Sequence, residues 1–224
     1  MSGAARARPE RRIPLERETT PMRIAAALRA EIAKGALLPG TRLHEIDFTA
    51  AFDVSRHTLR EAISLLVAEG LLMRASFKGV EVRKLSAADV RDIYTTRRLI
   101  ELTAIDVLPD APRAVWDALL SAVDRLTNLP ASVDSETMNR ADLDVHLALV
   151  AVHGSTRIMN TYKAAVQEMQ ILLFQAYPPK DVAVGRINHE AFGRMLRAGD
   201  RSGARTQLEQ RLRRSEQNLI AALS

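Results

Sequence analysis

From Ser86 onward the chain repeats one pattern: a small polar residue, a stretch of about 14–22 residues with apolar side chains three and four apart, then Gly or Pro. Such stripes leave water only by packing on one another, and short connections make successive helices antiparallel neighbours. Ser86 with Asp89 makes a capping-box start for a helix to about Val107. Pro109–Pro112 breaks the chain, and Ala114–Thr127 follows around Val115, Leu119, Val123 and Leu126. Asp134 or Ser135 opens a third helix ending at Gly154. Ser155 caps a fourth, stopped by Pro178-Pro179. Asp181 opens a fifth, ended by Gly199, and Asp200 caps the last. The expectation for 86–224 is an all-helical antiparallel bundle of about six helices.

The first 85 residues read differently. Met22–Lys34 carries Ile24, Leu28 and Ile32 at spacing four and stops at Gly35. Pro39-Gly40 turns the chain into an extended stub. Ile46–Phe52 is a second short helix with Phe48, Ala51 and Phe52 inward, ended by a tight turn at Asp53. Ser55 caps a third helix to about Glu69, stopped by Gly70. LLMRASFKGVEVRK (71–84) then reads as a hairpin around SFKG. Helix, helix, turn, helix, hairpin is a winged helix-turn-helix. The chain is therefore expected to be mainly α, with a winged helix-turn-helix at 21–85 and a bundle at 86–224. Residues 1–20, rich in Arg and without the apolar stretch of a secretory signal, are expected to form a disordered basic arm.

Charge is divided along the same line. Net charge is +5, and residues 1–85 hold 15 Lys and Arg against 10 Asp and Glu, whereas 86–224 hold 17 of each. The N-terminal part is expected to face a polyanion and the bundle something else. No cysteine is present, which excludes disulfides and thiolate metal sites. No apolar run approaches the ~18 residues of a membrane span, so a cytoplasmic protein is expected.

The helix opening at DVSRHTLREAI (53–63) buries Leu59, Ile63, Leu66 and Val67 on one stripe. Arg56, Arg60 and Ser64, four apart, line a separate face beside His57 and Thr58. Such a helix fits the DNA major groove, where Arg matches guanine O6 and N7. Ser55, Thr58 and the helix N-terminal amides suit phosphate oxygens. Lys78-Gly79 at the hairpin tip suits the adjacent minor groove, and Arg42 completes the expected DNA-facing set. The stretch from Leu37 to Val82 resembles the DNA-binding domain of GntR-family bacterial transcription regulators. It keeps Leu37, Pro39, Gly40, Leu43, Val54, Ser55, Arg56, Arg60, Glu61, Ala62, Leu66, Glu69, Gly70 and Leu71. It departs at His57-Thr58, where Thr-Pro is usual, and at Asp53, where Gly is common. The resemblance implies operator contact by Ser55, Arg56, Arg60 and the first-turn residues.

In the bundle, Asp142 and His146 share a helix face, with donors suited to a divalent metal, and a core histidine with a carboxylate partner explains them equally. His153 lies ~10 Å beyond His146 along an unbroken helix and cannot share a metal with both. Residues 86–224 resemble the FCD effector domain of the FadR subfamily of GntR regulators. The matches are Tyr94-x-x-Arg97-Arg98-x-x-Glu101, Asp142-x-x-x-His146 and NHEAFGRMLRAGDRSGA (188–204). The resemblance implies a metal (Zn, Ni or Mn) held by one Asp and three His, with an organic acid on or beside it. Asp142, His146 and His189 fall at three of those positions, and Arg211 stands at that of the third His. Guanidinium has no lone pair to donate. Three arrangements stay open: a three-ligand metal with Arg211 on the ligand carboxylate; a metal-free cationic pocket of Arg211, His146 and His189; or an Arg211–Asp142 structural bridge. Arg97 is a further effector-binding candidate, unless Glu101 at spacing four simply pairs it.

These readings converge on a homodimeric repressor of a near-palindromic operator, controlled by a small carboxylate. The rival is a metal-dependent hydrolase or decarboxylase using Asp142, His146 and His189, with Glu190 beside them.

Overall fold

The computed structural model describes residues 19–75, 79–130, 132–176 and 185–223. The basic arm lies almost wholly outside them, as do Lys78, Pro178-Pro179 and the expected helix start at Asp181.

The N-terminal part folds as the hydrophobic spacing predicts. Helix α1 (Thr20–Ala33) buries Ile24, Ala25, Leu28 and Ile32, and it starts two residues earlier than expected because Pro21 suits a first helical turn. Helix α2 (Glu45–Phe52) ends at Asp53, whose φ of 51° is left-handed. That explains why Gly is common there: the position closes the turn between α2 and α3 with a backbone conformation that costs most residues. Phe48 and Phe52 stack with ring centroids 6.3 Å apart and are half-buried. Ala51, expected inward, is exposed.

Helix α3 (Arg56–Ala68) buries Leu59, Ala62, Ile63 and Leu66 against α1. A two-pronged ion pair holds the same two helices together, with Arg29 Nε and Nη2 at 2.9 and 2.7 Å from the Glu69 carboxylate. Gly70, at φ +75°, ends the turn after α3 and lets Leu71 N–H return to Leu66 O at 3.0 Å. The expected hairpin is β2 (Leu72–Ala75) and β3 (Gly79–Val82). The stub before α2 is a third strand, β1 (Arg42–Leu43), so the sheet is antiparallel in the order β1-β3-β2. Leu43 faces Val80, and Leu72 faces Val82.

Among the described residues, six helices follow: α4 (Ala87–Val107), α5 (Arg113–Thr127), α6 (Ser135–Val150), α7 (Thr156–Ala176), α8 (Gly185–Arg197) and α9 (Arg201–Ala222). The capping box forms as expected, with Ser86 N–H at 2.7 Å from Asp89 Oδ2 and Asp89 N–H at 3.3 Å from Ser86 Oγ. Asp200 caps α9 through Gly203 N–H at 2.9 Å. α4 is the axis of the bundle, packing against α6, α7 and α9. The end of α6 also differs from expectation. α6 stops at Val150, and a 3-10 turn, Ala151–His153, carries the chain to Gly154. His153 donates to Ile100 O at 2.8 Å across to α4, which ties this tightened turn down. Among the described residues, no helix is long and apolar enough to cross a membrane.

Candidate functional site

Two polar regions stand out, one at each end of the molecule's logic. The first is the exposed side of α3. Thr58 N–H donates to Ser55 Oγ at 3.1 Å, so Ser55 caps the helix. Ser55, Arg56, His57 and Arg60 are exposed and Thr58 is half-buried. Arg56 makes no side-chain hydrogen bond or ion pair with the described residues, whereas Arg60 Nε lies 3.0 Å from each oxygen of Glu45 on α2. The hydrogen bond and the charge of Glu45 raise the Arg60 pKa. His57 Nε2 lies 3.5 Å from Glu61.

Arg42 is exposed on β1 opposite Glu81, and Gly79 (φ +83°) opens β3, where an added Cβ would meet no described residue within 4 Å. The fold adds a residue that the sequence reading missed. Arg74 on β2 donates to Ser64 Oγ at 3.0 Å, which brings a wing cation onto the polar face of α3. Nothing in the spacing of Arg74 signalled this, because Ser64 and Arg74 meet only once β2 folds back along α3.

The second region is inside the bundle. Arg97, Glu101, His146 and His189 are 4, 0, 2 and 0% exposed, and among the described residues the rest of the buried core is hydrophobic. Glu101 accepts from Arg97 Nε at 2.7 Å, from His146 Nδ1 at 2.6 Å and from the Tyr162 hydroxyl at 2.8 Å. A carboxylate only accepts, so Nδ1 of His146 carries the proton and its Nε2 lone pair faces inward. That lone pair meets Arg211 Nη2 at 2.7 Å, and the same Nη2 donates to Asp142 Oδ1 at 3.0 Å. Arg211 Nη1 donates to His189 Nε2. Arg97 lies over the Tyr94 ring at 5.1 Å and donates to Met169 Sδ at 2.9 Å.

Five expected effector-site residues, Arg97, Asp142, His146, His189 and Arg211, thus form one connected cluster. Tyr162 and Met169 of α7 complete it, and the sequence carried no signal for either. Glu190 takes no part: it is exposed and pairs with Arg194 at 3.9 Å.

Electrostatics follow from this geometry. Burial by itself pushes the Glu101 carboxyl up, but Arg97 and His146 more than offset it and hold it well below the carboxylate range. Burial likewise opposes ionisation of Asp142, yet the neighbouring Arg211 charge more than offsets it, and its pKa is brought down to about 2. Burial and the neighbouring Glu101 charge push the Tyr162 hydroxyl well up, so it stays a proton donor.

Asp142, His146 and His189 each offer a ligand atom, all within 4.8 Å of one another, which is a possible metal site. As they stand, these donors do not fit a metal. The Asp142 oxygen and the inward nitrogens of both imidazoles already receive N–H groups of Arg211, and a fixed cation in their midst repels another.

Two family models match the chain. "Bacterial regulatory proteins, gntR family" covers residues 21–82, and "FCD domain" covers residues 92–214. An uncharacterized HTH-type transcriptional regulator, BphR, of Paraburkholderia xenovorans (strain LB400) is 34% identical over 139 residues, 57% of this chain and 55% of that protein. The match therefore spans little more than half of that relative. A gluconate operon transcriptional repressor of Bacillus licheniformis is 28% identical over 197 residues, 84% of this chain and 79% of the relative. A solved putative transcriptional regulator GntR from Rhodococcus sp. RHA1 superposes with a TM-score of 0.82 at 27% identity, covering 90% of this chain and 98% of that one. The relatives are transcription regulators, and nothing supports the hydrolase or decarboxylase reading. With a winged helix-turn-helix at one end and an FCD bundle at the other, the chain belongs to the GntR family of bacterial transcription regulators, in its FCD-bearing, FadR-like branch.

Proposed function

We propose that this regulator is a homodimeric repressor whose hold on a near-palindromic operator is set by a small carboxylate bound at the Arg211 cluster. The α3 face reads the operator: Arg56, which has no partner among the described residues, and the first-turn residues Ser55, His57 and Thr58 meet base edges and phosphates. Arg60, Arg42 and the wing flank them.

The observation that carries the effector half is the buried Arg97–Glu101–His146–Arg211–Asp142–His189 network. Burying several charges costs stability that an apolar core of the same volume would not, so its presence points to a role in recognition. The site is reachable from one side: the Asp142 and Arg211 side chains are 28 and 14% exposed, while the two imidazoles are sealed. Arg211 Nε makes no hydrogen bond to a described residue, which leaves a donor for an arriving carboxylate.

An effector shifts DNA binding only through unequal affinity for the two arrangements of the dimer. Thermal shift against a panel of small carboxylates, followed by gel shift of genomic fragments with each hit, tests both halves. A hit that raises Tm and changes operator retention is expected. Sequence-blind DNA binding, or no response to any acid in the panel, overturns the corresponding half.

A further inference from the structure

In this structure a side chain sits where a metal ion would otherwise be held. Asp142 Oδ1, His146 Nε2 and His189 Nε2 come from α6 and α8 and converge on the space filled by the Arg211 guanidinium from α9. The supporting shell is also of the kind a metal site needs. Glu101 takes the Nδ1–H of His146 at 2.6 Å, which orients the ring and makes its inner nitrogen a better electron-pair donor. Three lone-pair donors that a divalent cation would use are thus present, and each is engaged by an N–H group of Arg211.

We infer that Arg211 is the built-in cation of this site: the regulator holds Asp142, His146 and His189 together without a divalent metal, and Arg211 alone keeps the metal out. The physical basis is the exchange of one positive centre for another. Guanidinium neutralises Asp142 and supplies directed donors to both imidazoles, as a dication would supply directed acceptor orbitals. It is tethered, so it cannot be removed by a chelator. An incoming carboxylate is then met by N–H donors and not by coordination to an ion.

This inference does not rest on the effector reading, because metal content is measured with neither ligand nor DNA. Untagged protein would be incubated with Zn²⁺ or Ni²⁺, freed of excess, and its metal content measured beside its Tm with and without chelator. The wild type is expected to retain no stoichiometric metal and to show no chelator-dependent Tm. Arg211→His replaces the guanidinium by a fourth lone-pair donor and is expected to retain about one equivalent and lose Tm on chelation. The gain should vanish in Arg211→His with His146→Ala. Arg211→Ala, which leaves three donors and room for water, is the second variant should Arg211→His not fold, and weaker but measurable retention is expected of it. A full equivalent in the wild type that is lost in His146→Ala overturns the inference. So does a folded Arg211→His, or failing it a folded Arg211→Ala, that takes up no metal.

Discussion

Arg83 Nη1 lies 2.9 Å from Glu168 Oε2, and the other Nη of the same guanidinium lies 2.6 Å from Asp89 Oδ1. Arg83 directly follows β3, whereas Asp89 and Glu168 belong to α4 and α7, so one side chain ties the wing to two helices of the bundle. The next residue of α7, Met169, accepts from Arg97 of the buried cluster at 2.9 Å. Adjacent positions on one helix therefore touch the joint and the cluster. A shift of α7 is felt at both, which is the kind of contiguous contact that carries coupling.

A double-mutant cycle measures that link. Arg83→Ala and Arg211→Ala, singly and together, should change operator affinity non-additively, by more than about 0.5 kcal/mol. Additive effects in fluorescence anisotropy would cut the proposed connection through α7.

The two carboxylates on Arg83 should respond to pH with opposite sign. Burial pushes Asp89 up, but Ser86 and Arg83 more than offset it and its pKa is lowered. Its contribution is present above the ordinary aspartate value of about 3.9 and is lost as pH falls through the depressed folded value. Burial raises Glu168 beyond what Arg83 returns. Its contribution is fullest below the ordinary glutamate value of about 4.3 and fades as pH rises through the folded value. Urea melts should show Asp89→Asn least stable relative to wild type at neutral pH. Glu168→Gln should gain on wild type as pH rises from acid to neutral. Each effect should stay within about 1 kcal/mol, because both pairs are partly solvated.

Breaking the buried network should cost far more. Glu101→Gln leaves Arg97 without its counter-charge in a sealed site and should lower stability by about 3–5 kcal/mol. The paired replacement Arg97→Met with Glu101→Leu should cost less than Glu101→Gln alone, since it removes both charges together. Thermal melts that rank the two the other way would mean solvent reaches Glu101.

On the DNA side, Arg56→Ala should weaken operator binding by ~1–3 kcal/mol if its base contact is bidentate. Glu45→Gln should tighten binding at low salt, because it releases Arg60 from a carboxylate held at 3.0 Å. Arg74→Ala should weaken binding to all sequences alike and reduce the salt slope by about one. Anisotropy titrations over a salt series distinguish these three outcomes.

Local chemistry accounts for what could be read in advance. Ser86 with Asp89, Ser55, Asp200 and Gly70 mark helix ends by hydrogen bonds reaching only a few residues, so the chain announces them without its fold. The spacing of Leu59, Ile63 and Leu66 likewise shows which face of α3 is buried. The end of α6 was harder, because Val150 and Gly154 differ only in how the last turn tightens.

The sequence by itself thus determined the helices and the wing, whereas it was the resemblance to the FCD domain that grouped Asp142, His146, His189 and Arg211 as one candidate site. Among the three arrangements open for Arg211, only tertiary structure brings its guanidinium onto Asp142 and both imidazoles at once. The same holds for Tyr162 and Met169 joining Glu101 and Arg97, and for Arg74 reaching Ser64. The reason is physical. Capping and periodicity act over a turn or two of chain, whereas these contacts join residues 10 to 72 positions apart, brought together only when apolar stripes pack.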